Sequence, residues 1–201
     1  MTTNVRTHIT NGQIGQICDR LTTKLRESGL LSEAVQKVLK MPGNAALDEM
    51  VAVFRRHVEA QGEFITRHAT VNRTRTQQEA ITATGRNKYV NDDVVASMPK
   101  GEGNEVDVIF FKLGHNISDA DLDKEYELRG LKPADPYSLA AVNEADPAFA
   151  DEHPNGTHWK DVADKWCYAA FSQWLVDDRH VSVNRFGFGW VVDWWFAGVR
   201  K

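Results

Sequence analysis

Tryptophan is absent from the first 158 residues of this 201-residue chain, and cysteine occurs only twice. Cys18 and Cys167 lie far apart, so no disulfide framework is expected. No apolar run approaches the roughly 18 residues that mark a candidate membrane helix. The first residues, Met1-Thr-Thr-Asn-Val-Arg6, lack the apolar core of a signal peptide. A cytoplasmic protein is the expectation. Positive charge is not in surplus either, with 24 Lys/Arg against 28 Asp/Glu and a net charge of −4. That balance hides segregation. Residues 1–90 carry 13 basic and 8 acidic residues, residues 91–158 carry 5 and 15, and the last 43 carry 6 and 5. No zone is basic enough to demand a phosphate backbone, and docking between zones is as well served as nucleic-acid binding.

What the chain has is a C-terminal block of aromatics. Trp159, Trp166, Trp174, Trp190, Trp194 and Trp195 share it with Tyr168, Phe171, Phe186, Phe188 and Phe196. Each buried aromatic removes roughly 150–250 Å² from water. Such a block either builds a β core or leaves an aromatic surface for a partner.

Residues 1–66 read as a helical region. Ile14, Ile17, Cys18, Leu21 and Leu25 form one helical stripe ended by Ser28-Gly29. A short helix follows Ser32, with Val35, Val38 and Leu39 inward, and Met41-Pro42-Gly43 stops it. A third stripe joins Leu47, Met50, Val51, Phe54, Val58 and Ile65. Residues 67–155 read as an α/β unit. Residues 68–74 are β-branched enough for a strand, and Thr76-Gln-Gln-Glu79 is a capping box for a helix stopping at Gly85. A short helix near 91–97 precedes a buried strand at Glu105–Leu113. Ser118 starts a helix that Gly130 ends. Asp135-Pro136 and Asp146-Pro147 each pair an N-cap with a first-turn proline, which predicts two further helices.

From residue 156 the period becomes two. Residues 157–161, 165–172, 179–185 and 190–199 are four strands expected to form an antiparallel meander, alone or in one domain with 67–155. Trp166, Tyr168 and Ala170 should share one face, Cys167, Ala169 and Phe171 the other. Val181 and Val183 should oppose His180, Ser182 and Asn184, and Trp194 and Phe196 should oppose Trp195 and Ala197. The fold class is α+β: helices and a small α/β unit followed by an aromatic-rich antiparallel sheet.

Few constellations suggest chemistry. His153 and His158, with Asp151, Glu152 and Cys167 nearby, are candidate zinc ligands, but two imidazoles do not make a site. Cys167, flanked by Trp166 and Tyr168, fits a packed strand better than a nucleophile. Gly101-Glu-Gly103 precedes a strand, the reverse of a dinucleotide site. No cofactor and no catalytic residue is assigned; a hydrolase or metal enzyme ranks third among the readings. Arg67, Arg73, Arg75, Arg86 and Lys88 could engage phosphates, which makes a nucleic-acid-associated protein the second reading. Their alternative role is pairing with the acidic middle zone.

The end of the chain, Trp174…Arg179-His-Val-Ser-Val-Asn184…Trp190…Trp194-Trp-Phe-Ala-Gly-Val-Arg200, resembles the closing segment of C-type-lectin-like domains. It is most similar to the variable ligand-binding domains of bacterial diversity-generating retroelements. The resemblance rests on a terminal Gly-x-Arg with upstream tryptophans; residues 1–113 have no counterpart and the lectin disulfides are absent. The whole chain resembles bacterial proteins of no assigned activity. The resemblance implies a Trp/Gly/Arg framework interleaved with binding positions: Gln173, Leu175, Asp177, His180, Ser182, Asn184, Phe186, Phe188 and Val192. Trp194 and Trp195 are added because neighbours on a strand face opposite ways. The first reading is therefore a non-enzymatic module that binds a protein or other macromolecule through its C-terminal β surface.

Overall fold

The computed structural model describes residues 9–41, 43, 45–59, 64–174, 178–185 and 189–201. The chain divides into two compact units, Met1–Phe54 and Arg55–Lys201. In the first, Thr10 and Gln13 form a capping box, each side chain accepting from the other's backbone N–H, and open α1 (Asn11–Glu27). Then come α2 (Ser32–Leu39) and α3 (Ala45–Glu59), the latter running past the unit boundary. Among the residues from 9 to 54 whose side chains are described none is buried; Ile17, Leu21 and Val35 are half-buried and the others exposed.

The second unit is one mixed eight-stranded sheet with helices. Its elements are β1 (Phe64–Thr70), α4 (Gln77–Ala83), β2 (Asn87–Val90), α5 (Asp92–Ala96), β3 (Glu105–Lys112), α6 (Asp119–Leu128), β4 (Leu131–Pro133), α7 (Pro136–Ala145), α8 (Phe149–Glu152), β5 (Asn155–Lys160), β6 (Trp166–Gln173), β7 (Arg179–Arg185) and β8 (Trp195–Arg200). The strand order is β1-β3-β8-β5-β6-β7-β2, with β4 also paired to β8. The fold is α+β, and strands from either side of residue 155 share the sheet.

Several local rules act as the sequence predicts. Thr76 and Glu79 close a capping box at α4, and Asp135 accepts from Ser138 N–H at α7 with Pro136 in the first turn. Gly85 and Gly130, at φ +67°, follow α4 and α6. Other expectations are corrected. Ile65 belongs to β1, not to the third helical stripe, and that strand starts earlier than residue 68, because Phe64–Thr70 matches Glu105–Phe111 residue for residue. Asp146 caps the C-terminus of α7 instead of opening α8, whose N-cap is Ala148 with no side-chain bond.

The meander is also only partly right. β5–β6 and β6–β7 are antiparallel hairpins. β8, however, leaves β7 and inserts between β3 and β5, antiparallel to the first and parallel to the second. Its start moves from residue 190 to Trp195, and Trp190 makes an isolated bridge to Ile117. A strand with Phe196 and Ala197 both buried is apolar on both faces and belongs inside a sheet rather than at its edge. The flank of β7 is taken by β2, in parallel.

The alternation of faces follows the sequence. Cys167, Ala169, Phe171, Val181, Val183 and Ala197 join one core with residues of α4, α5, α7 and α8. Ala170, Trp190 and Phe196, with Tyr168 and Trp194 at the margin, join a second core with Leu122 and Tyr126 of α6. We call these the inner and outer faces. Gly156 lies under Trp190, so close that a Cβ there would sit 2.6 Å from the indole ring.

Candidate functional site

Two places on the sheet bring functional side chains together. The first is the outer face beyond the α6 cover, over β6, β7 and β2. Tyr89 pairs in register with Ser182, and His180 with Ser172 and Asn87. Trp174 follows β6 and stacks on Tyr89, with centroids 5.7 Å apart and planes at 27°. Both rings lie in water, Tyr89 48% and Trp174 66% exposed. Beneath them His180 is buried, edge-on to Trp174 at 4.2 Å, with Nε2 3.0 Å from Ser172 Oγ. Ser182, Asn184 and Tyr168 are half-buried beside it, and Asn184 donates to Tyr89 O at 3.1 Å. The result is a shallow floor of hydroxyl and amide groups with an aromatic pair at its rim.

The second place is a groove of about 910 Å³ where β5 and β8 part. These parallel neighbours pair only at Asn155–Gly156 with Trp195–Phe196. Past that point β4 takes the flank of β8, so the groove opens at their carboxyl ends, a usual place for ligands in sheets with parallel strands. Lys132, Lys160 and Arg200 line it, as do Glu102, Asp123 and Trp166. In its wall His158 is fully buried. Nδ1 lies 2.7 Å from Asp119 Oδ1, which also accepts from Trp190 Nε1 at 3.0 Å. Nε2 lies 3.0 Å from Asp123 Oδ1 but is not aligned for a hydrogen bond. Trp166 stacks on the imidazole at 4.7 Å. Burial pushes the His158 pKa down, but Asp119 and Asp123 outweigh it and the net shift is upward from 6.5.

The sequence-derived binding set is partly gathered. His180, Ser182 and Asn184 share the open face; half-buried Gln173 ends β6 on the opposite face, with the parity of Cys167, Ala169 and Phe171. Leu175, Asp177, Phe186 and Phe188 lie outside the described residues. Val192 is exposed in a turn, its N–H donating to Asn116 Oδ1 at 2.9 Å. Trp194 and Trp195 point apart as expected, Trp194 edge-on to Trp190 at 5.5 Å and Trp195 edge-on to His153 at 5.1 Å, both half-buried. Trp174, counted as framework by the resemblance, is instead the most exposed tryptophan.

The five cations are not brought together. Arg67 lies on β1 and Lys88 on β2, the two ends of the strand order. Arg67 sits 4.6 Å over the Phe149 ring and 3.9 Å from Asp146. Arg73 is spent on Asp135 at 2.9 Å, on Ser138, and on the carbonyls of Lys100, Glu102 and Gly103. Arg75 takes Glu144 in a two-point pair, and buried Arg86 donates to Ser172 O and Pro147 O. Lys88 donates to Thr82 Oγ1 at 3.2 Å. Pairing with the acidic middle zone accounts for Arg67, Arg73 and Arg75.

His153 and His158 separate likewise: His153 stacks on Phe149 and His158 takes the two aspartates. Among the described residues no three His, Cys, Asp or Glu side chains are grouped to hold a metal ion. Cys167 is buried on the inner face, and desolvation with Asp161 raises its thiol pKa. No helix among the described residues is long and apolar enough to cross a membrane. Compared with protein-family models, curated proteins and solved structures, the chain matches none.

Sequence reasoning missed Tyr89 and the Asp119–His158–Asp123 contact. Tyr89 sits on a four-residue strand with no clean alternation. The aspartates stand 39 and 35 residues before His158, a separation no local motif encodes.

Proposed function

We propose that the protein is a binding module whose macromolecular ligand docks on the open outer face of β6, β7 and β2. The observation that carries this reading is the Tyr89–Trp174 pair, two large rings stacked on each other and left mostly in water. Rings of this kind form contact anchors because they offer area at low entropic cost, while neighbouring amides and hydroxyls supply adaptable hydrogen bonds. Asn184 and Ser182 are such neighbours. The resemblance to variable ligand-binding domains supports the same strands, since His180, Ser182 and Asn184 are positions it assigns to binding.

The test is to screen the full chain against immobilised peptides, glycans and single-stranded nucleic acid and then compare variants. Trp174→Ala and Tyr89→Ala should each weaken a captured probe by about 2 kcal/mol, roughly 30-fold, with little change in Tm. Undiminished capture by both variants would overturn the proposal.

A further inference from the structure

β2 ends the strand order, with β7 as its strand neighbour. Tyr89 O accepts from Asn184 Nδ2, and Asn91 donates its N–H to Val183 O at 2.9 Å. Backbone groups alternate sides along a strand, so Asn87, Tyr89 and Asn91 face β7 while Lys88 and Val90 face away. Two N–H and two C=O groups thus point off the edge, with no partner among the described residues. Edges are normally blunted by proline, a bulge or an outward lysine. β2 has no proline and pairs with β7 without a bulge, and the Lys88 ammonium is turned to Thr82 Oγ1 at 3.2 Å. The half-exposed ring of Tyr89 belongs to this same strand. β1, at the other end of the order, instead shows charge on its exposed face, His68 being held between Asp107 and Glu105.

We propose that an extended segment of a partner protein adds to β2 as a further, antiparallel strand. The proposal rests on the binding-module reading and names the class of its ligand. An extended backbone supplies acceptors and donors at the spacing that Lys88 and Val90 present, and alternate side chains supply specificity. Partner residues opposite Lys88 and Val90 make the hydrogen bonds, and the residue between them lies opposite Tyr89 on the outer face. From its N- to its C-terminus the partner therefore offers a β-branched residue beside Val90, an aromatic beside Tyr89 and an acid beside Lys88.

Short capped peptides with Val-Trp-Glu between threonines, labelled with fluorescein, test the proposal by anisotropy with the full chain. N-methylation of the valine or the glutamate removes an N–H aimed at β2 and should weaken binding by roughly 10-fold or more. N-methylation of the tryptophan, whose N–H points away, should leave binding unchanged. In the protein, Lys88→Pro removes an edge N–H without touching the bonds to β7 and should weaken binding to the same degree. Lys88→Ala keeps that N–H and should weaken it by no more than about 5-fold. The methylated peptides leave the protein unaltered, so they decide the question even if Lys88→Pro disturbs the fold. No binding of the probe, or binding indifferent to which amide is methylated, would overturn strand addition. A glycan or nucleic acid captured in its place, and lost in Trp174→Ala and Tyr89→Ala, would overturn it too while leaving the binding-module reading intact.

Discussion

The two units of this chain use apolar residues in opposite ways. Of the nineteen large apolar side chains that stay exposed among the described residues, thirteen lie between Ile9 and Phe54 and six in the α+β unit. Both units show regular hydrophobic periodicity. In the α+β unit each apolar stripe meets another: Val94 and Val95 of α5 meet the inner sheet face, and Leu122 and Tyr126 of α6 meet the outer. In the helical unit most of the described stripe residues of α1, α2 and α3 stay exposed, with Ile17, Leu21 and Val35 half-buried. Amphipathic spacing establishes that a face wants cover; it does not say whose.

The sharpest way to break this comparison is to truncate one large aromatic in each unit. Trp190 is 1% exposed, packed edge-on against Tyr168, Trp194 and Phe196 and hydrogen-bonded to Asp119. Trp190→Ala should cost about 3–5 kcal/mol, a large share of a domain's stability. Phe54→Ala, at a side chain left 45% exposed, should leave the same thermal transition within about 0.5 kcal/mol. Equal losses in the two variants, read by calorimetry, would mean that the helical stripe is part of a core.

How much of this was legible in the sequence depended on how local the cause was. Thr76–Glu79, Ser118 and Asp135–Pro136 act within one turn, and each opens the helix it predicts. Face alternation along β6 and β7 is equally local and came out as read. Asp146-Pro147 carries the same signal and fails, because Asp146 is already held by its N–H to Val142 O as the end of α7. Strand order is a non-local choice, so β8 crossing to lie between β3 and β5 could not be read from short loops. The candidate sites divide the same way. Period two places His180, Ser182 and Asn184 on one face, and only the resemblance marks them as binding positions, whereas Tyr89 and the aspartates around His158 meet their partners only through sheet pairing and helix placement.

A smaller effect tests how closely the outer core is fitted. Gly156 pairs with Phe196 and with Ala170, and a Cβ there would meet Trp190 Cη2 and Cζ3 at 2.6 Å and Ala169 O at 3.3 Å. The indole is held by its bond to Asp119, so it is not a flexible end that swings aside. Gly156→Ala should therefore destabilise by roughly 1–3 kcal/mol, as overpacking does. Gly114→Ala, where nothing lies within 4 Å of the added carbon, serves as the control. If chemical denaturation finds the two variants equal, the contact between β5 and Trp190 is looser than described.

The smallest effect is a pH dependence localised to the outer core. His158 is fully buried between Asp119 and Asp123, and the balance of burial against those two carboxylates leaves its folded pKa above the free value of 6.5. The folded state therefore holds this proton more tightly than the unfolded state. The resulting stabilisation is fully present below pH 6.5 and is lost as pH rises through the folded pKa, at about 1.4 kcal/mol per unit of separation. His158→Gln removes the titrating group while keeping an amide that can donate to Asp119. The variant should be less stable than the wild type at pH 6, and the gap should narrow as pH rises above 6.5. His68, which is exposed beside Asp107 and Glu105, also has a raised pKa and should be replaced in the background so that it does not add to the slope. A wild-type stability that stays flat or rises across this window, relative to the variant, would show that the two aspartates do not hold His158 as a cation. The Asp119–His158 contact would then be a neutral hydrogen bond, with the proton on Nδ1 and Nε2 left as a buried acceptor facing the groove.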